Sequence, residues 1–283
     1  MMDEKFSQKL SNFYSAFVWP DDPENERGKE YFETAVKFMC TLTEHQWIKK
    51  MLSEKEKISI LEVCGGVGFG GVALSKALAG TGADVSLSIT DLRKDALERA
   101  REWGSGILGK GIEVSVLDAR EVHKLEQKFD IVLLYGLSTP HFSPWNMVRL
   151  FASVSESLVD DGVFVADEVD RRYNIFLRTG YKWTLAEGEG DNMVISFHSG
   201  YNMVEGMVKR SYINPSKLTE PVTAELFIWA PAEVGAILWT FFDDVDFLNL
   251  GRMRCFVLGS RPRRTITPDA LNEPTIVSRR RNG

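Results

Sequence analysis

The chain has 283 residues, 44% of them hydrophobic and 26% charged, with a net charge of −6 and a sequence pI near 5.4. That is the composition of a globular protein with enough chain for a substantial core. The acidic balance makes a general nucleic-acid binder unlikely, because such affinity rests on neutralising phosphates. The three cysteines (Cys40, Cys64, Cys255) and four histidines show no disulfide framework and no metal-ligand spacing, so no metal is expected.

Taken in chain order, the start "MMDEKFSQKL" is charged and lacks an apolar signal core, which predicts a cytoplasmic protein. No run approaches the ~18 consecutive apolar residues of a membrane span. The segment after it gathers Phe13, Tyr14, Phe17 and Trp19. Residues 30–52 place Phe32, Val36 and Met39, then Ile48 and Leu52, at spacings of three and four, as one or two amphipathic helices would. Short apolar runs then recur at 58–63, 85–90, 112–117, 129–135 and 162–167, with helical patterns between them at 71–79, 93–102 and 145–159. Strands alternating with helices mean a parallel sheet covered on both faces. Beyond residue 170 the runs 193–198 and 204–213 flank "SGYN", which reads as a hairpin turn, and 222–229 supplies a third antiparallel strand. Pro231 suits the first turn of a helix reaching about Phe242, and 253–260 is a closing strand.

The stretch "ILEVCGGVGFGG" (60–71) carries Gly66-x-Gly68-x-x-Gly71 between a strand and a helix. Glycines let a ligand approach the backbone, and a helix N-terminus offers free N–H groups. A dinucleotide fits this spacing. So does S-adenosylmethionine. Glu62, at the end of the strand, bears on the choice. If its carboxylate faces the ligand, a phosphate ~5 Å away costs about 3 kcal/mol at an effective dielectric of 20, whereas a sulfonium or ammonium group is attracted. Asp91, ending the second strand in "SITDLRKDALERARE", can hold both ribose hydroxyls of either ligand.

In order and spacing, "ILEVCGGVGFGG", "TDLRKDALERAR", "VLDAREV", "KFDIVLLYG" and "SLVDDGVFVADE" resemble the class I S-adenosylmethionine-dependent methyltransferases that act on small molecules, over about residues 58–168. The resemblance implies an α/β, doubly wound, mostly parallel seven-stranded sheet with an N-terminal helical lid and an antiparallel β insertion. In domain terms it implies a helical cap over 1–57, a donor-binding core over 58–170, a substrate cover over 171–230 and the rest of the core sheet over 231–260; composition adds a basic tail over 261–283. Glu62, Cys64, Gly65, Gly66 and Gly68 would surround the methionine part of the donor. Asp91 would bind the ribose with Leu92 beside the adenine, Asp118 and Ala119 would meet the adenine edge, and Tyr135 and Gly136 would line the site after the fourth strand. Cys64 departs from the family pattern, which has a glycine there, and Asp161 departs more mildly before Gly162.

His141, in "GLSTPHFSP", is the candidate general base, since an imidazole titrates near neutral pH. Asp167 and Glu168, ending the fifth strand, could also face the pocket. Tyr14, Trp19, Tyr173 and Trp183 are candidate substrate contacts. The partner is a small-molecule methyl acceptor, modified at O, N or C. An NAD-type oxidoreductase using the same loop and a non-catalytic S-adenosylmethionine-binding protein are the competing readings. The tail holds six arginines against Asp269 and Glu273, a solvated end or a site for an anionic partner.

Overall fold

Two strands, β1 (Lys57–Val63) and β4 (Phe129–Leu134), lie side by side at the centre of the molecule. Their near-continuous apolar runs follow from burial on both faces, and every residue of β4 is buried. In this computed structural model the described residues are 13–14, 22–188, 193–216 and 221–281, the last three of these without their side chains.

Around that pair the described residues build a seven-stranded sheet, completed by β2 (Asp84–Asp91), β3 (Glu113–Val116), β5 (Leu158–Val169), β10 (Phe242–Gly251) and β11 (Arg254–Pro262), in the order β10-β11-β5-β4-β1-β2-β3. Neighbours from β5 to β3 are parallel, while β11 pairs antiparallel with both β5 and β10. The order reverses between β1 and β4, so the chain ends of these strands face a switch-point crevice.

Helices cover both faces. On one side pack α1 (Glu26–Thr43), α2 (Gln46–Glu54), α3 (Phe69–Ala79) and α4 (Lys94–Leu108); on the other, α5 (Pro144–Ser157) and α6 (Pro231–Phe241). The single apolar stretch at 30–52 divides into two helices. His45 caps the second, its Nδ1 accepting from Trp47 N at 3.3 Å. Ala35, Met39, Leu42 and Ile48 are fully buried beside α3 and the sheet, so these helices are a core layer. The earlier Phe13 and Tyr14 are the described N-terminal residues that reach the crevice.

Between β5 and α6 comes a second, four-stranded antiparallel sheet: β6 (Thr184–Glu187), β7 (Val194–Asn202), β8 (Met207–Ile213) and β9 (Val222–Leu226). Its hairpin turn is not at "SGYN". Strand β7 runs through that stretch with a bulge between His198 and Gly200, and the chain reverses at 203–206. Asn202 Oδ1 accepts from Glu205 N at 3.2 Å, and Gly206 takes φ +66, so the turn chemistry lies one step further on. Two strands, β6 and β10, have no counterpart among the apolar runs. β10 is an edge strand whose aspartates (Asp243, Asp244, Asp246) interrupt the apolar pattern.

No helix of the described residues is long and apolar enough to cross a membrane. The last helix, Thr275–Arg281 (α7), contains the basic cluster, whose side chains lie outside the described set.

Candidate active site

The glycine turn joins β1 to α3. Gly68 caps α3 in a left-handed conformation at φ +83, and Gly66 has φ +55. Cys64 is left-handed too, at φ +53. The backbone there requires the freedom that glycine gives, and cysteine adopts it under strain. Burial pushes its thiol well above the usual range. Accordingly, Cys64→Val should cost about 2 kcal/mol, since a β-branched residue tolerates this region worst, and Cys64→Gly should stay within about 0.5 kcal/mol of the parent. Urea denaturation checks both; equal stabilities for all three would remove the strain.

Glu62 is 1% exposed. Its carboxyl turns into the first turn of α3, where Oε2 accepts from Gly71 N at 2.8 Å. A Cβ on Gly70 or Gly71 would lie 2.5 and 2.8 Å from its oxygens, so these glycines make room for it. Burial pushes the group up to about 8, with the Gly71 and Gly70 N–H groups pulling the other way. The N–H groups that a diphosphate would need are thus already used by a protein carboxyl.

At the end of β2, Asp91 ties two loops together. Its Oδ2 accepts from Gly66 N and its Oδ1 from Arg93 N, both at 2.8 Å. Leu92 follows, and Arg93, 8% exposed, lays its guanidinium over the Tyr14 ring at 4.4 Å. Tyr14 Oη in turn meets His141 Nε2 at 3.1 Å. Burial, then the charges of Arg171 and Arg93, push that imidazole down to about 4, so it is neutral at neutral pH and a weaker base than the near-neutral imidazole expected from the sequence. Asp118, after β3, is held by Arg120 through Nε at 2.9 Å, and Arg120 Nη1 reaches Asn146 Oδ1 at 3.1 Å. Burial raises the Asp118 carboxyl, but the hydrogen bonds and charge of Arg120 leave it below the usual range. Ala119 beside it is buried.

After β4, Tyr135 is buried and Gly136 takes φ +87, with its N–H donating to Asp167 Oδ2 at 3.1 Å. Asp167 is fully buried and gripped by Arg254 from β11, Nε at 2.8 Å and Nη2 at 2.6 Å. The switch-point crevice therefore brings together Glu62, the glycine turn, Asp91, Tyr14, Tyr135, Gly136 and His141. Tyr173 and Trp183 stand apart: they are 40% and 68% exposed, and Trp183 rests on His198 and Tyr181 in the region of the second sheet. Trp19 lies outside the described residues. Arg93, Arg120 and Arg254 were not singled out by pattern. Arg93 carried a signal, two residues from Asp91, whereas Arg254 comes to Asp167 across 87 positions. Among the described residues no group of His, Cys, Asp or Glu could hold a metal.

Residues 60–162 match the family model of a methyltransferase domain. No curated protein matches. Among solved structures the chain is similar to a Pyrococcus horikoshii protein, at 19% identity and a TM-score of 0.61 over 89% of this chain and 99% of the other. It is similar to an S-adenosylmethionine-dependent methyltransferase of Clostridium acetobutylicum, at 13% and 0.57 over 90% and 98%. A third likeness is to the sugar N-methyltransferase KedS8 of a Streptoalloteichus species, at 14% and 0.53 over 79% and 88%. At these identities the structures speak for the fold, and the family model for the domain within it. The strand order and the crevice agree with that match: residues 60–162 are similar to a methyltransferase domain, and the seven-stranded sheet around them has the Rossmann-like methyltransferase fold.

Proposed function

We propose that the chain transfers a methyl group from S-adenosylmethionine to an O, N or C atom of a small molecule held between the crevice and the β6–β9 sheet. The observation that carries this is the pairing of two carboxyls. Asp91 is fixed by Gly66 N and Arg93 N with a lone pair left on each oxygen for a ribose diol. Glu62 occupies the N–H groups in the first turn of α3 that a diphosphate would need, which disfavours that ligand. The methyltransferase match favours the same donor over NAD.

The residues present fit the donor. Gly65, Gly66, Gly68 and Cys64 would border its methionine part, Leu92, Asp118 and Ala119 its adenine, and Tyr135 and Gly136 the wall beyond. When bound, the sulfonium supplies an already activated methyl carbon. The chain's part is alignment and exclusion of water. His141, neutral and bonded to Tyr14, would take a proton from the acceptor where one must leave. Tyr14, which lies under the Arg93 guanidinium and meets His141, would line the acceptor's side of the crevice. Likeness to a sugar N-methyltransferase supports a small acceptor.

Thermal melts with S-adenosylhomocysteine and with NAD test the reading. A ligand at 100 times its Kd stabilises by about 2.7 kcal/mol. The melting temperature should rise with S-adenosylhomocysteine and not with NAD, and Asp91→Ala should abolish most of the rise. A rise with NAD alone would overturn the proposal.

A further inference from the structure

The turn after β4 holds a conformation that its own residues do not favour. Gly136 at φ +87 is followed by Leu137 at φ +61, a branched side chain in the left-handed region. Such a residue stays there only when its surroundings hold it. Then come Ser138 and a single 3-10 turn, Thr139–His141, which carries the imidazole.

What holds the turn is a brace from the end of β5. Arg171 Nη2 donates to Leu137 O at 3.1 Å, and its Nη1 to Thr139 Oγ1 at 3.3 Å while also pairing with Glu168. Thr139 Oγ1 donates to Glu168 Oε2 at 2.5 Å, and Val169 N donates to Glu168 Oε1 at 2.8 Å. Thr139 and the Glu168 side chain are fully buried. Glu168 is thus spent on the brace and is not an acid or base free to meet a substrate. On the far side, Pro140 O accepts from Phe227 N at 2.9 Å and Phe142 O from Trp229 Nε1 at 3.0 Å. The turn is clamped between the end of β5 and the segment that follows β9. His141 projects from the clamped segment, its Nε2 at Tyr14 Oη and its ring against Phe13.

We propose that Arg171, acting through Glu168 and Thr139, is the positioning residue that fixes where the His141 imidazole stands. The assignment rests on the reading of His141 as the proton acceptor. A planar guanidinium serves two acceptors on the turn and one carboxylate at once, which a lysine ammonium on a flexible stem does not reproduce. A role of charge alone would survive Arg171→Lys; a role of geometry would not.

The test is the ring-nitrogen NMR spectrum of His141 in the full-length protein with S-adenosylhomocysteine added. The parent should show one sharp set of signals from a single tautomer. Arg171→Lys should split these signals or broaden them at least twofold, while the Kd for S-adenosylhomocysteine stays within threefold. Thr139→Val removes one link without disturbing the ion pair, and should broaden the same signals; it decides the matter if the lysine variant does not fold. His141 signals that superimpose on the parent's in a folded variant would overturn the proposal. The spectrum is read without an acceptor, so the two claims separate. Full methyl transfer by a His141→Ala enzyme would remove the base and leave this result standing.

Discussion

Glu62→Gln should make the ligand-free protein more stable at alkaline pH, by an amount that grows as the pH rises. The native carboxyl titrates at about 8 against an ordinary value of 4.5, chiefly because it is buried. A carboxyl with a raised value binds its proton more tightly in the folded state. Its contribution is therefore most favourable below 4.5 and is lost as the pH climbs toward 8. The accumulated cost above pH 8 is roughly 5 kcal/mol, at 1.36 kcal/mol for each tenfold change in proton affinity. Glutamine keeps the acceptor oxygen for Gly71 N and does not titrate. Unfolding free energies of both proteins at pH 5 and pH 8.5 check this. The advantage of the variant should widen by several kcal/mol between them, and a gap that does not change with pH would mean the carboxyl is not held neutral. The same burial has a functional side. A donor with a sulfonium and an ammonium group brings positive charge to a carboxyl that lacks it, and the proposed ligand would then draw a proton off Glu62 on binding.

Asp167→Ala should lower the unfolding free energy by about 3–5 kcal/mol, the usual cost of breaking a buried pair from one side. The reason is local. Arg254 has two hydrogen bonds to that carboxylate, at 2.8 and 2.6 Å, and its guanidinium is packed over the Phe38 ring at 4.8 Å, with 19% of the side chain exposed. Removing the carboxylate strips this largely buried cation of its charge partner and frees Gly136 N as well. The double variant Asp167→Ala/Arg254→Leu removes both charges and should recover most of the loss. Thermal or urea melts of the three proteins decide it. Equal stability of Asp167→Ala and the parent would show that the pair contributes nothing, and failure of the double variant to recover would place the cost in the Gly136 turn.

Much of the architecture was legible because it is written locally. Apolar runs of strand length alternate with helical spacing from 58 to 167, and each of the five runs became a strand of the main sheet. The glycine turn announced itself through Gly66 and Gly68, both of which take left-handed backbone. Cys64, marked as a departure from the family pattern, proved to stand in that same conformation. Less legible were elements whose cause lies in a distant partner. β10 carries aspartates at an open edge and owes its strand to pairing with β11. The hairpin turned at 203–206 because Asn202 and Gly206 supply the turn chemistry there, which "SGYN" resembled without providing.

The sequence by itself determined that a strand, a glycine-rich turn and a helix would follow one another, with Asp91 at the next strand end, because these depend on residues close in the chain. Only the tertiary structure decided what surrounds them. Whether Glu62 faced the crevice or the helix, which side chain met Tyr14, and which arginine each of Asp167 and Glu168 would hold are set by packing between β5, β11, the turn after β4 and the N-terminal segment. Packing of that kind is a many-body outcome of burial and hydrogen-bond satisfaction, and no spacing within one segment encodes it.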